Sequence, residues 1–164
     1  MRKRVVEPQT LEVSPLVEDV ISLVRADALT RQITIQAKIP ENLSPVCVDR
    51  VQFQQVLLNL LLNAMDAITG ASQGERNITV TAHGEGANLV EITVRDTGPG
   101  VPTDRLEKLF EPFFTTKPQG LGVGLAICRS ILEAQGGRIW AENHMSCGAV
   151  FHVTLPIAQE ENKS

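Results

Sequence analysis

Asp49–Gly70, DRVQFQQVLLNLLLNAMDAITG, is the stretch that decides the fold. Asp49 and Gln52 have capping-box spacing and open a long helix through Val51–Ile68, with Gly70 as its expected terminator. Val56, Leu57, Leu58, Leu60, Leu61 and Leu62 make that helix apolar almost all round, so it belongs in a core. Asn59 and Asn63 interrupt the apolar surface four residues apart and therefore share a face. A buried amide needs hydrogen-bond partners. Two readings stay open: the pair is satisfied by backbone or by each other, or it faces a polar ligand. An Asn oxygen is also a hard donor suited to Mg²⁺ held against phosphate.

Upstream, Ser14 and Pro15 read as an N-cap and first helical position. Val17, Val20, Ile21, Val24 and Ala28 then repeat with helical spacing as far as Gln32. Thr34–Ile39 alternates as a strand, closed by Pro40-Glu41-Asn42. Downstream, Asn77–His83 and Leu89–Arg95 flank the Gly84–Asn88 turn and form a hairpin. Asp96–Gly124 is a long Gly-, Pro-, Thr- and Phe-rich segment with one short helix near Asp104–Leu109, the kind of loop that carries function or moves. Leu121–Gln135 is a third main helix, stopped by Gly136-Gly137. Arg138–Glu142 and Ala149–Leu155 are final strands, with Ala149, Phe151, Val153 and Leu155 facing one way. This order, without βαβ alternation, predicts an α/β two-layer sandwich: a mixed, mostly antiparallel sheet of about five strands with three main helices on one face.

The 164 residues suit one domain. A net charge of −4 favours neither nucleic acid nor an anionic membrane, so no contact with either is expected. No apolar run approaches the roughly 20 residues that span a bilayer. The basic Met1–Arg4 start has no apolar segment behind it and is not a secretory signal. Cys47, Cys128 and Cys147 are odd in number and lack CxxC spacing, which argues for free thiols and a cytoplasmic setting. Residues 1–11 read as the remnant of a linker, 12–157 as the domain and 158–164 as a polar tail.

Three more motifs carry chemistry. Asp96-Thr97-Gly98-Pro99-Gly100 follows a strand. It is a turn, or it places a carboxylate to accept from an exocyclic amine while glycines let backbone pass close to a ring. Phe110-Glu111-Pro112-Phe113-Phe114-Thr115-Thr116-Lys117 pins a loop by aromatics, and Lys117 is a point charge suited to phosphate. Gly120-Leu121-Gly122-Val123-Gly124-Leu125 enters a helix, exposing backbone N–H groups where the dipole favours anions. Neither GxGxxG nor a P-loop occurs, and the HRD and DFG signatures are missing.

In their order and spacing, Asn59–Ala67, Asp96–Gly100, Phe110–Phe114 and Gly120–Leu125 resemble the N, G1, F and G2 boxes of the sensor histidine kinase catalytic domain. That domain sits in a superfamily with type II topoisomerase ATPases, ninety-kilodalton chaperones and mismatch-repair ATPases. The resemblance covers Ser14–Pro156. Leu109–Leu125 and Gly136–Glu142 are most similar to oxygen-sensing and nitrogen-regulatory kinases.

The resemblance implies the Bergerat fold with a mobile ATP lid, and ATP and Mg²⁺ as ligands. It makes Asn63 the Mg²⁺ ligand, with Asn59 supporting metal and phosphates. Asp96 binds the adenine amine, partly through water, with Gly98, Gly100 and Thr154 nearby. Thr115, Thr116, Lys117, Gly120 and Leu121 form the lid, which Phe110 and Phe113 pack, and Lys117 steadies the γ-phosphate. Gly122, Val123, Gly124 and Leu125 present the helix start to the phosphates. Asp66 counts among the nucleotide-binding residues, at a position where many relatives carry Lys or Arg.

In the superfamily's hydrolases a Glu four residues before the metal-binding Asn activates water. Here that position is Asn59, and an amide is no general base near neutral pH. The resemblance thus favours transfer to a histidine on a separate helical dimerisation domain, with a response regulator downstream. His83, His144 and His152 are not on helices and read as structural or surface residues, so the phosphoacceptor is expected elsewhere and the chain itself to be monomeric. The alternatives are a topoisomerase- or chaperone-type ATPase, an anti-sigma serine kinase, and a degenerate docking module.

Overall fold

The computed structural model describes residues 5–71, 74–112 and 124–159. Asp49 caps the long helix α2 (Arg50–Gly70) by accepting the Gln52 N–H at 3.0 Å. Gln52 does not return the favour, as a closed capping box would. Gln135, at the end of the third helix, takes the Asp49 N–H on its Oε1 at 2.6 Å and donates its amide to Gln52 Oε1 at 2.7 Å. The two helix ends are thereby joined. Gly70 is the last helical residue rather than a left-handed terminator; Ala71 caps the helix in extended conformation. Phe53, Val56, Leu57, Leu60, Leu61 and Met65 are at most 1% exposed. Each such side chain stabilises the fold by about 1.5–3 kcal/mol.

Helix α1 (Val13–Thr30) buries Val13, Leu16, Val17, Val20, Ile21, Val24 and Ala28. It starts one residue before Ser14, with Glu12 in the cap position and no side-chain cap. Ser14 and Pro15 are therefore inside the first turn, where Pro's missing N–H leaves no helical bond unmade. Gln32, at φ 58°, turns the chain into strand β2 (Thr34–Lys38).

Two short strands were not legible beforehand. β1 (Pro8–Leu11), inside the stretch read as linker, pairs antiparallel with β3 (Val46–Asp49), and the Glu7 N–H reaches Asp49 Oδ2 at 2.9 Å. The main sheet has five strands in the order β2-β4-β5-β7-β6, with β4 (Asn77–Glu85), β5 (Leu89–Asp96), β6 (Arg138–Asn143) and β7 (Ala149–Pro156). β2 and β4 are parallel and the remaining pairs antiparallel. A 3-10 helix, Thr103–Lys108, stands where the short helix was expected.

The three helices α1, α2 and α3 (Gly124–Ala134) join one core with Ile78, Val80, Ile92, Val94, Ala149, Phe151, Val153 and Leu155. Alternation on β7 is as the sequence predicts. The other sheet face carries Thr79, Thr81, Thr93, Arg95, Trp140 and His152, all partly exposed. The architecture is a two-layer sandwich with its helices on one side.

Candidate functional site

Helix α2 is the spine of the site. Asn59, Asn63 and Ala67 follow at intervals of four on one face. Asn59 Nδ2 lies 3.5 Å from the Gly124 carbonyl oxygen and 3.5 Å from Cys128 Sγ. The asparagine thus binds the first turn of α3, where the glycine-rich segment enters its helix. Cys128 is fully buried and its thiol in turn faces the Val56 carbonyl at 3.9 Å. Burial raises the Cys128 pKa, with the Asn59 amide pulling the other way, so sulfur stays a thiol. Asn63, half-buried, sits one turn further along. At Ala67 the Asp96–Gly100 loop arrives: a Cβ on Gly98 would stand 3.1 Å from the Ala67 carbonyl carbon. A glycine lets the loop lie this close to the helix without the neighbour having to give way.

Asp96 ends β5 and is 3% exposed. Its Oδ1 accepts the backbone N–H groups of Gly98 at 2.8 Å and Ala149 at 3.3 Å. No hydrogen bond from a described residue reaches Oδ2. Desolvation raises the Asp96 pKa, opposed by these two N–H groups and by the charge of Arg95. A buried carboxylate with one oxygen held and the other not bonded by any described residue can accept from an amine such as that of adenine, and these groups fit ATP. Asn143 fastens the loop from outside, accepting the Val101 N–H at 2.8 Å and donating to the Val101 carbonyl at 2.7 Å. Gly100, at φ +82°, passes against the Asn143 amide. Phe110 is buried and meets Phe151 edge-to-face at 6.1 Å, anchoring the loop's far end to β7.

The structure therefore brings together Asn59, Asn63, Asp96, Gly98, Gly100 and Gly124, with Leu125 beside Gly124 on α3. Thr115, Thr116, Lys117, Gly120, Leu121, Gly122, Val123 and Phe113 lie outside the described residues.

Thr154 is not at the site. It pairs with Glu91 on β5, five residues from Asp96, and its hydroxyl accepts the Arg138 N–H at 3.0 Å. Antiparallel register, not proximity of motif, decides this, and it places Ala149 beside the carboxylate instead. Asp66 is held by Arg31 of α1, whose Nη1 lies 2.9 Å from Asp66 Oδ1 and whose Nε lies 3.0 Å from Asp27 Oδ1. The Asp66 bond and then the Asp27 bond raise the Arg31 pKa. Cys128, Asn143, Gly148 and Ala149 are site residues the sequence reading missed. The one available signal was Gly148, a glycine immediately before the last strand.

Comparison with known proteins places the chain in a family. Residues 48–159 match the family described as histidine kinase-, DNA gyrase B- and HSP90-like ATPase. The sensor protein FixL of Bradyrhizobium diazoefficiens is 42% identical over 154 residues, covering 94% of this chain and 30% of that protein. The chain spans 15% to 31% of FixL, the sensor histidine kinase TmoS of Ectopseudomonas mendocina and ZraS of Salmonella typhimurium. Among solved structures, the nucleotide-free catalytic domain of histidine kinase ThkA superposes with a TM-score of 0.81 at 35% identity, over 92% of this chain and 96% of that one. Full-length ShkA in complex with AMPPNP gives 0.84 at 28% identity, over 97% of this chain and 33% of that one. ThkA in complex with the response regulator TrrA gives 0.79 at 32%, over 98% and 45%. No helix among the described residues is long and apolar enough to cross a membrane. The chain belongs to the histidine kinase-, DNA gyrase B- and HSP90-like ATPase family, and within it to the ATP-binding catalytic domains of sensor histidine kinases.

Proposed function

We propose that this domain binds Mg²⁺·ATP and transfers the γ-phosphate to a histidine on a separate helical dimerisation domain, from which a response regulator is phosphorylated. The observation that carries this is Asn59. Its amide donates toward α3, and it occupies the place of the hydrolases' general base without being able to take a proton. A water at the γ-phosphate is then not activated, and an external imidazole is the better nucleophile. Asp96 Oδ2 would receive the adenine amine, while Asn63 and Asn59 would hold Mg²⁺ and phosphates. Mg²⁺ supplies charge neutralisation on the transferring group, and the residues supply alignment. Thr115, Thr116, Lys117 and Gly120–Val123 are proposed as the lid over the phosphates, with Lys117 at the γ-phosphate. The chain acts as a monomeric unit in the cytoplasm.

The test mixes this chain with a separately expressed helical dimerisation domain and γ-labelled Mg²⁺·ATP. Acid-labile, base-stable label should appear on the helical domain's histidine, with only slow phosphate release by the chain alone. Rapid hydrolysis indifferent to the helical domain would overturn the reading in favour of an ATPase, and acid-stable label on serine would do so in favour of a serine kinase.

A further inference from the structure

On the sheet face turned away from the helices, strand register assembles a second cluster. His83 on β4 and Glu91 on β5 are directly opposed Cα partners, and Glu85 lies two residues on from His83. All three side chains therefore share one face. His83 Nε2 lies 3.3 Å from Glu85 Oε2 and 3.3 Å from Glu91 Oε2, and the three ligand atoms fall within 4.8 Å of one another. A tetrahedral ion with bonds of about 2.0–2.2 Å keeps its ligand atoms about 3.3–3.6 Å apart, so little movement would be needed to bind one.

Glu91 is 9% exposed, and its Oε2 has His83 Nε2 at 3.3 Å on one side. A desolvated carboxylate is stabilised when a positive group joins it. On its other side is His152, whose Nδ1 lies 3.5 Å from Glu91 Oε2, buried and without a hydrogen-bond partner. The His152 ring is fixed there: Nε2 is 2.7 Å from Glu142 Oε1, and the ring stacks on Trp140 at 4.9 Å with an interplanar angle of 3°. His83 and Glu85 are about half exposed, which leaves the ion's remaining position open to water.

We propose that His83, Glu85 and Glu91 bind one divalent transition-metal ion of the zinc type, with His152 positioning Glu91 from behind. Imidazole nitrogen with carboxylate oxygens suits Zn²⁺, Ni²⁺ or Co²⁺, whereas Mg²⁺ prefers all-oxygen shells and retains its waters. The site is separate from the nucleotide pocket. Glu91 and Asp96 are five residues apart on β5, about 17 Å, and point to opposite faces of the sheet. Bound there, the ion would tie β4 to β5.

The experiment titrates Zn²⁺ alone, by calorimetry, into the chelator-stripped chain carrying Cys47→Ser and Cys147→Ser, so that accessible thiols take no metal. One ion per chain is expected, with affinity lowered at least ~10-fold in His83→Ala and in Glu91→Gln, and by about 10-fold in His152→Phe. Millimolar Mg²⁺ should not displace it, and ATP affinity should be the same in His83→Ala as in the parent. Absence of saturable one-site binding, equal affinity in His83→Ala, or displacement by Mg²⁺ would each overturn the proposal. Glu85→Gln, at an exposed hairpin position, replaces Glu91→Gln if the buried change prevents folding.

Discussion

Gly148 is packed so tightly on Asp96 that a Cβ added to it would stand 1.9 Å from the Asp96 carbonyl oxygen. Its φ of +83° is left-handed as well, a region side chains rarely adopt. This contact seats the next residue, Ala149, whose N–H reaches the Asp96 carboxylate at 3.3 Å. The Asp96 carboxylate is therefore aimed in part by a glycine just before β7.

Gly148→Ala should destabilise the chain by about 2–4 kcal/mol, because backbone oxygen cannot give way as a side chain can. Urea denaturation measures that. ATP affinity, measured on the fraction still folded, should fall at least tenfold; an unchanged affinity would separate Gly148 from the site.

Asp96→Asn should uncouple binding from stability. The Asn oxygen would keep the Gly98 and Ala149 N–H groups, which turns the amide nitrogen toward the adenine amine, donor against donor. ATP binding should drop by about two orders of magnitude in calorimetry, while thermal stability is held or raised, since a desolvated charge is gone. The pH dependence follows from the raised Asp96 pKa. The folded state binds this proton more readily than the unfolded state, so Asp96's contribution to stability falls as pH rises from the ordinary carboxylate pKa through the raised one. Asp96→Asn should remove that part of the slope from a series of denaturation curves.

Thr154→Val should leave ATP affinity within twofold of the parent. Its hydroxyl serves the Arg138 N–H, far along β7 from the carboxylate. The change costs about 1–2 kcal/mol from one unsatisfied N–H, read by denaturation.

The Arg31–Asp66 pair should contribute modestly. The side chains are 26% and 41% exposed, so a double-mutant cycle with Arg31→Ala and Asp66→Ala should return a coupling of about 0.5 kcal/mol that shrinks in high salt. A coupling several times larger would mean that the pair holds α1 on α2.

Much of this was legible in the sequence because it is local. The apolar period of α2, the alternation on β4, β5 and β7, and the Asp96–Gly100 turn each report one face or one turn of backbone, set by residues a few positions apart. The pairing of β1 with β3 was not legible: each strand has four residues, and only Leu11 of β1 is buried, so no alternation announces it. Nor was the replacement of the capping-box return bond by Gln135, eighty-six residues from Asp49.

The sequence by itself determined the helix and strand faces, and the order and spacing of its motifs resemble those of a nucleotide pocket. Which groups flank Asp96 was decided only by the register of β5 against β7, which moves Thr154 away and brings in Gly148 and Ala149. Register depends on how a whole strand packs on its neighbours and on the core beneath, so no short window of sequence contains it.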